Sequence, residues 1–188
     1  MAKKQKPNLD GIEFDSDEEV EFYHWVKEAL KYDIISDFKY NCESYPLSPK
    51  QTTLEIKQLK TKSKEVVKHL FHEHIYTPDF HLFKGSRWNV LKDSHKLISM
   101  HDDCNEFVID IKGTFQRNGG ARSFSINQKW MFDKYHVYVN KLIPEKFFAL
   151  TWVPEACRFS PKQKKLRAKY KNIPTLLEKY GNLKPQDS

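Results

Sequence analysis

The sequence has little cysteine and no long apolar run, and each absence excludes a class of protein. Cys42, Cys104 and Cys157 are odd in number and widely separated, and no CxxC pair or Cys/His zinc spacing is present. We therefore expect reduced, structural thiols and a cytoplasmic location. No apolar stretch approaches the roughly 18 residues that a membrane-spanning helix requires, and the basic first residues lack an apolar signal core, so we expect no membrane partner.

Glycine is also scarce, with six residues in 188. The pair Gly119-Gly120 has no Lys-Ser or Lys-Thr after it, which excludes a nucleotide-binding phosphate loop at this point. Aromatic residues are abundant by contrast, and the 13 Phe, nine Tyr and four Trp are sufficient to build a real core. At this length we expect one domain with extensions.

Positive charge is in excess and is segregated along the chain. The 32 Lys and Arg residues exceed the 25 Asp and Glu residues, for a net charge of +7. Residues 10–21 hold seven acids and no Lys or Arg, residues 158–171 hold seven bases and no acid, and residues 50–68 hold six Lys against two Glu. A solvated surface explains any one such run, but the separation of signs favours an anionic partner such as nucleic acid.

Periodicity and capping signals predict an α/β order of elements. Ser16 with Glu19 three residues later is a capping box, and helical spacing of apolar residues then predicts a helix over residues 17–31. A second helix is predicted over residues 122–135. The predicted strands are 35–45, 74–83, 107–112, 136–143 and 146–153, and the predicted tail helices are 161–170 and 174–180. Residues 50–70 fit either a basic helix or an excursion from the core.

Two short segments contain the candidate catalytic residues. Asp110 and Lys112 are two apart in a strand, so they share a face, while Ile109 and Ile111 point to the other side. Charged groups in such an apolar strand need partners, because an unpaired buried charge is costly. If Asp79 lies on the neighbouring strand, two carboxylates and one ammonium meet there. Carboxylates and a backbone carbonyl suit a hard divalent cation, and a nearby Lys can orient a water and offset charge on a phosphate.

Pro78-Asp79 together with Asp110-Ile111-Lys112 resembles the PD-(D/E)xK, or restriction-endonuclease-like, nuclease superfamily. The resemblance implies a central mixed sheet flanked by helices, with a basic helical C-terminal extension. It implies that Asp79, Asp110 and the Ile111 carbonyl hold Mg²⁺ or Mn²⁺ and that Lys112 positions the nucleophile. A glutamate of the first helix, Glu19, is then expected at a second metal or its water. Glu18 and Glu21 are the rival positions for this role.

The opening Gly11-Ile12-Glu13-Phe14-Asp15-Ser16 and the segment Tyr76-Thr77-Pro78-Asp79-Phe80 resemble small phage endonucleases, including the phage endonuclease I enzymes that resolve four-way DNA junctions. The resemblance implies DNA as partner, branched or recombination-intermediate DNA as substrate, a homodimer, and the host cytoplasm as location. Two other functions stay open: a site-specific or nicking endonuclease of the same fold, and a nucleic-acid-binding protein without catalysis.

Several basic residues are candidates for contact with DNA phosphates. They are Arg117, Arg122, Lys129, Lys162, Lys164, Lys165 and Arg167. The predicted organisation is a flexible arm over residues 1–9, a nuclease domain over 10–155 and a basic tail over 156–188. Within the domain, residues 47–72 and 86–105 are predicted insertions. His72, His74 and His81 surround the Pro-Asp segment and fit either a polar surface, a DNA contact or a zinc site.

Overall fold

The computed structural model describes residues 6–91, 97–99, 105–113, 120–160 and 164–185. Its strands are β1 (Asn8–Leu9), β2 (Ile12–Glu13), β3 (Ile35–Tyr40), β4 (Tyr45–Ser48), β5 (Gln51–Gln58), β6 (Ser63–Phe71), β7 (His74–Tyr76), β8 (Phe80–Lys84), β9 (Glu106–Ile111) and β10 (Val139–Leu142). Its helices are α1 (Asp17–Lys31), α2 (Gly120–Tyr135), α3 (Pro144–Leu150), α4 (Glu155–Arg158) and α5 (Leu176–Lys179), with 3₁₀ turns at Trp88–Leu91 and Ala168–Tyr170.

A mixed four-stranded sheet forms the centre of the protein, in the order β10-β9-β8-β3. Strands β9 and β10 are parallel, whereas β8 is antiparallel to both β9 and β3. The protein is thus α/β, with helices flanking a mixed sheet. The strand that carries Asp110 is central, so its side chains are shielded from water on both faces.

Helix α1 starts where the capping box predicts. The Ser16 hydroxyl accepts a hydrogen bond from the Glu19 backbone N–H at 3.2 Å, which satisfies one of the free donors at the helix start. The helix buries Phe22, Trp25 and Val26 against one face of the sheet, the face that holds Phe107, Ile109 and Ile111. The two-residue alternation predicted for β9 is therefore confirmed.

The opposite face of the sheet holds a second, smaller core. Val108 of β9 and Val139 of β10 pack there with Phe124 and Met131 of α2. Asp110 points to this side because it is two residues from Val108. The candidate site is therefore on the α2 face of the sheet.

Residues 146–153 are predicted as a strand, and this prediction is wrong. They lie mostly in helix α3, with Pro144 at its first turn, where the missing N–H costs nothing. Phe147 and Phe148 of this helix are buried in the core beside Trp25 and Tyr170. Two adjacent buried aromatics are as compatible with a short core helix as with a strand, so periodicity could not separate the two.

The basic tail is also less helical than predicted. Residues 161–163 lie outside the described residues, and residues 164–167 are not helical: Leu166 pairs with Phe159 in an isolated antiparallel bridge. A 3₁₀ turn follows at Ala168–Tyr170, and helix α5 is one turn long with a capping box at Thr175 and Glu178. Tyr170 and Leu176 belong to the main core, so the tail packs onto the domain.

Glu21 of α1 binds this tail through hydrogen bonds. Its carboxylate accepts hydrogen bonds from Arg167 (2.5 Å), Lys169 (2.9 Å) and the Tyr170 hydroxyl (2.5 Å). Burial pulls the pKa of Glu21 upward, but the hydrogen bonds from Tyr170 and Lys169 and the charges around it outweigh burial, so the pKa is lowered.

Glu21→Ala is expected to destabilise the protein by about 3 kcal/mol, because two cations and a hydroxyl lose their common partner. Urea unfolding at neutral pH measures this. Since a lowered pKa stabilises the folded state above the ordinary pKa of 4.5, the difference from wild type should shrink as the pH falls below that value. Glu13→Ala, which breaks only the exposed 3.6 Å pair with Lys6, is the control and should have almost no effect.

Strands β5 and β6 form a two-stranded antiparallel ribbon, here called the ribbon (residues 51–71), which resolves the ambiguity over residues 50–70. Every residue of β5 is exposed, as is every residue of β6 apart from Val66. The pairing register separates two faces. One, the lysine face, carries Lys57, Lys64 and Lys68; the other, the apolar face, carries Leu54, Ile56 and Val67.

Candidate active site

Asp79 and Asp110 lie side by side at the ends of neighbouring strands. Phe80 pairs with Ile109 in the antiparallel β8–β9 ladder, so the next residue out on each strand places Asp79 opposite Asp110. The Ile111 backbone N–H donates a 2.6 Å hydrogen bond to Asp79 Oδ2. The Asn41 N–H donates to the Asp79 carbonyl at 2.9 Å and fixes the peptide from the other side. The convergence of the two carboxylates, predicted from the sequence, is present.

These carboxylates repel one another in a poorly solvated place. Asp110 is 2% exposed. Burial, then the charge of Asp110, then that of Glu19 raise the pKa of Asp79 to about 8. Such a site favours either a proton or a cation between the carboxylates. Its donors are hard oxygens, which fit Mg²⁺ or Mn²⁺ rather than a soft metal.

Lys112 is beside the pair and reaches toward solvent. Its Nζ is 2.5 Å from Asp110 Oδ2, and its side chain is 26% exposed. The backbone N–H of Lys112 donates to the Leu142 carbonyl at 2.8 Å, which continues the parallel β9–β10 pairing to this residue. The ammonium is therefore held at the rim of the site, where a phosphate could approach it.

The three rival glutamates of α1 have different surroundings. Glu21 is bound to the tail and is removed from the set. Both oxygens of Glu19 already accept hydrogen bonds, from Ser16 Oγ (2.8 Å), the Asp15 N–H (3.0 Å) and the Tyr40 hydroxyl (2.6 Å). Glu19 still acts on Asp79 through its charge. Glu18 is next to the end of β9: a Cβ added at Gly113 would come 3.0 Å from Glu18 Oε1.

Two residues near the pair were missed by sequence reasoning. Lys141 of β10 is paired with Asp110 in the parallel register, and its Nζ is 5.7 Å from the centre of the Phe124 ring. The Lys112 Nζ is 6.0 Å from the same ring. Tyr76 is buried, and burial followed by the charges of Asp110 and Asp79 raises the pKa of its hydroxyl. No sequence pattern predicts that Lys141 and Tyr76 lie near the carboxylates, because the position of each depends on strand pairing.

The candidate DNA-contact residues differ in their exposure to solvent. Arg122 and Lys129 are exposed on α2, and Lys164 and Lys165 are exposed in the tail. Arg167 is half-buried and donates to Glu21 and to the Cys157 carbonyl, so we remove it from the set. Arg117 and Lys162 lie outside the described residues.

The three histidines around the Pro-Asp segment do not form a zinc site. His74 hydrogen-bonds to Asn127 at 2.8 Å, and His72 packs on His69. His81 is fully buried and has Glu106 as its partner. Among the described residues, the group of three or more His, Cys or carboxylate side chains with close ligand atoms is a different one, comprising Cys42, Glu43 and His81.

Comparison with known proteins does not assign the chain to a family. No family model, no curated protein and no solved structure matches it. Within the described ranges, no helix has the length and apolar character to span a membrane. The chemistry of the site therefore depends on its own residues.

Asp79→Asn is expected to stabilise the metal-free protein increasingly between about pH 4 and pH 8. The pKa of Asp79 is raised from 3.8 to about 8 in the folded state, so wild type loses stability as the pH rises through this window. Asn stays neutral and can still accept the Ile111 N–H. Thermal unfolding in EDTA measures the effect. A difference in Tm that does not change with pH would contradict the assignment, and exposed Asp37→Asn is the control.

Proposed function

We propose that this protein is a metal-dependent endonuclease that hydrolyses DNA phosphodiester bonds and has a restriction-endonuclease-like core. One observation carries the proposal: Asp79, Asp110 and Lys112 meet at the ends of two paired strands, with Asp79 held by the Ile111 N–H. The central mixed sheet supports it, because α2 connects the parallel strands β9 and β10 and packs over the face that carries Asp110.

Mg²⁺ or Mn²⁺ would be held by Asp79 and Asp110, with the Ile111 carbonyl as third ligand and Glu19 or Glu18 at a second metal or its water. The fit rests on the hard oxygen donors and on the raised pKa of Asp79, because burial and the charges of Asp110 and Glu19 outweigh the charge of Lys112 there. A bound divalent cation would supply Lewis acidity and a more acidic water.

Side chains of the protein would position the attacking water and stabilise the negative charge that develops on the phosphate. Lys112, 2.5 Å from Asp110, would orient the attacking water and offset the negative charge that grows on the phosphate. Asp79 is fixed through its carboxylate and its peptide, so it needs little reorganisation before reaction. Lys141, paired with Asp110, is placed to add positive charge at the same phosphate.

DNA is proposed as the partner because of the exposed positive charge. Residues 50–68 hold six Lys against two Glu, and the ribbon presents most of them to solvent. A two-stranded ribbon has the dimensions to enter a DNA groove, and lysines bind phosphates without regard to sequence. Branched DNA as substrate, a homodimer and a host-cytoplasmic location rest on the resemblance to phage endonucleases alone.

Cleavage assays distinguish the candidate functions. Purified protein with Mg²⁺ would be incubated with four-way junctions and with nicked, linear and supercoiled DNA. Paired nicks in the junction support a junction-resolving enzyme, whereas general nicking supports the site-specific or nicking endonuclease. If no DNA or RNA is cut with either Mg²⁺ or Mn²⁺, the enzyme proposal fails and the nucleic-acid-binding alternative takes its place. Glu18→Gln and Glu19→Gln, compared in the same assay, identify the helix α1 carboxylate.

A further inference from the structure

A second group of side chains with metal-ligand chemistry lies on the α2 face of the sheet. Cys42 and Glu43 lie in the connection between β3 and β4, and His81 lies in β8. One ligand atom from each of the three lies within 4.8 Å of the others. Cys42 and Glu43 are exposed, whereas His81 is fully buried. The group is thus open to solvent on one side and anchored in the sheet on the other.

The imidazole of His81 has one ring nitrogen bonded to a carboxylate and a second that is buried without a hydrogen-bond partner among the described residues. The first is Nδ1, which is 2.5 Å from Glu106 Oε1, and the second is Nε2. A carboxylate that accepts the Nδ1–H leaves the lone pair on Nε2, which is the tautomer that metal-binding histidines adopt. A buried nitrogen without a partner is unfavourable, and a cation would satisfy it.

The carboxylate of Glu43 is also oriented. The Tyr45 hydroxyl donates to Glu43 Oε2 at 2.6 Å, which restrains that carboxylate. Cys42 is a free, exposed thiol. A cation bound here would displace the thiol proton and form the thiolate.

We propose that Cys42, Glu43 and His81 bind a Zn²⁺-class transition-metal ion, with water as the fourth ligand and Glu106 as the partner that orients His81. Sulfur and imidazole donors select a borderline-soft metal, whereas the oxygen donors of Asp79 and Asp110 select a hard one. The protein then has two cation sites of different chemistry on one face of the sheet.

The position of this site gives it a structural role. The preceding residue, Asn41, donates its N–H to the Asp79 carbonyl at 2.9 Å. An ion that joins Cys42 and Glu43 to His81 would tie the β3–β4 connection to β8 on both sides of that hydrogen bond. The ion would thereby fix the peptide that carries Asp79 without contacting the substrate itself.

Cobalt titration tests the site without DNA and independently of nuclease activity. Co²⁺ added to the reduced full chain should bind with one equivalent that gives a near-ultraviolet thiolate-to-cobalt band, and Zn²⁺ should displace it. Cys42→Ser should abolish the band. Asp110→Asn, which leaves Cys42, Glu43 and His81 in place, should retain it. Excess Mg²⁺ should leave the band unchanged, because a hard cation competes poorly for sulfur.

Glu106→Gln tests the orienting role and should weaken Zn²⁺ binding by about 10- to 100-fold, which is the usual effect of losing such a partner. Cys42 is exposed, so its replacement by Ser should not prevent folding, and a circular dichroism spectrum checks this. The proposal is overturned if wild type gives no thiolate band or if the band survives in Cys42→Ser. A band lost in Asp110→Asn would also overturn it, since the thiolate site would then depend on the carboxylate pair.

Discussion

Asp110→Asn and Lys112→Met are each expected to lower the rate of DNA cleavage by on the order of 10³-fold, for different reasons. Asp110 faces Asp79 across the β8–β9 pair, so its loss removes one of the two proposed metal ligands. Lys112 is 2.5 Å from Asp110 and partly exposed, so its loss removes the charge next to the proposed phosphate position and leaves both carboxylates in place.

Measurements of metal binding distinguish the proposed role of Asp110 from that of Lys112. In calorimetry with Mn²⁺, Asp110→Asn should lose most of its affinity, whereas Lys112→Met should bind at least as tightly as wild type because a competing cation has been removed. Lys31→Met changes an exposed lysine at the far end of α1 and is the matched control. Cleavage that survives in both site variants would refute the enzyme proposal, and unchanged Mn²⁺ binding in Asp110→Asn would refute the metal assignment.

Lys57→Gln combined with Lys64→Gln is expected to weaken DNA binding by about 10- to 100-fold at moderate salt and to reduce the salt slope by about 2. The two lysines are directly opposite one another on the ribbon. Like charges in such a pair destabilise a hairpin unless an anion lies against them. Lys68 on the same face is already 3.4 Å from Glu55, so it offers less positive charge.

The apolar face of the same ribbon provides the control. Leu54→Gln with Val67→Gln changes two exposed residues without changing charge, so the salt slope should stay as in wild type. Fluorescence anisotropy of a labelled duplex in EDTA, over a range of salt concentrations, measures binding while cleavage is suppressed. Equal slopes for the lysine variant and wild type would show that the ribbon does not bind the DNA backbone, whatever the outcome of the cleavage assays.

Local signals predicted α1 and β9 well. The capping box at Ser16 and Glu19 and the helical spacing of Val20, Tyr23 and Val26 act within a few turns, so helix Asp17–Lys31 has the predicted bounds. In β9 the alternation of Phe107, Ile109 and Ile111 with Val108 and Asp110 predicted which side chains share a face. These properties depend on neighbours close in sequence.

Other elements could not be predicted in this way. The run around Phe147 and Phe148 has no period that separates strand from helix, and only its packing on Trp25 made it helical. Residues 51–71 form an exposed ribbon whose cross-strand pairs depend on register, which composition does not determine. Tyr170 was predicted at the end of a basic tail helix and is instead buried against Phe148 in a 3₁₀ turn.

The sequence by itself determined the capped first helix and the shared face of Asp110 and Lys112, because these follow from residue type and short spacing. On the same basis it predicted the chemistry of a hard cation and a phosphate. Only the tertiary structure decided which groups surround each of the three candidate glutamates of α1. It bound Glu21 to Arg167, occupied both oxygens of Glu19 and placed Glu18 against Gly113. It also brought Cys42 to His81 and paired Lys141 with Asp110. Such contacts join residues tens of positions apart, and strand order and register, not local pattern, bring them together.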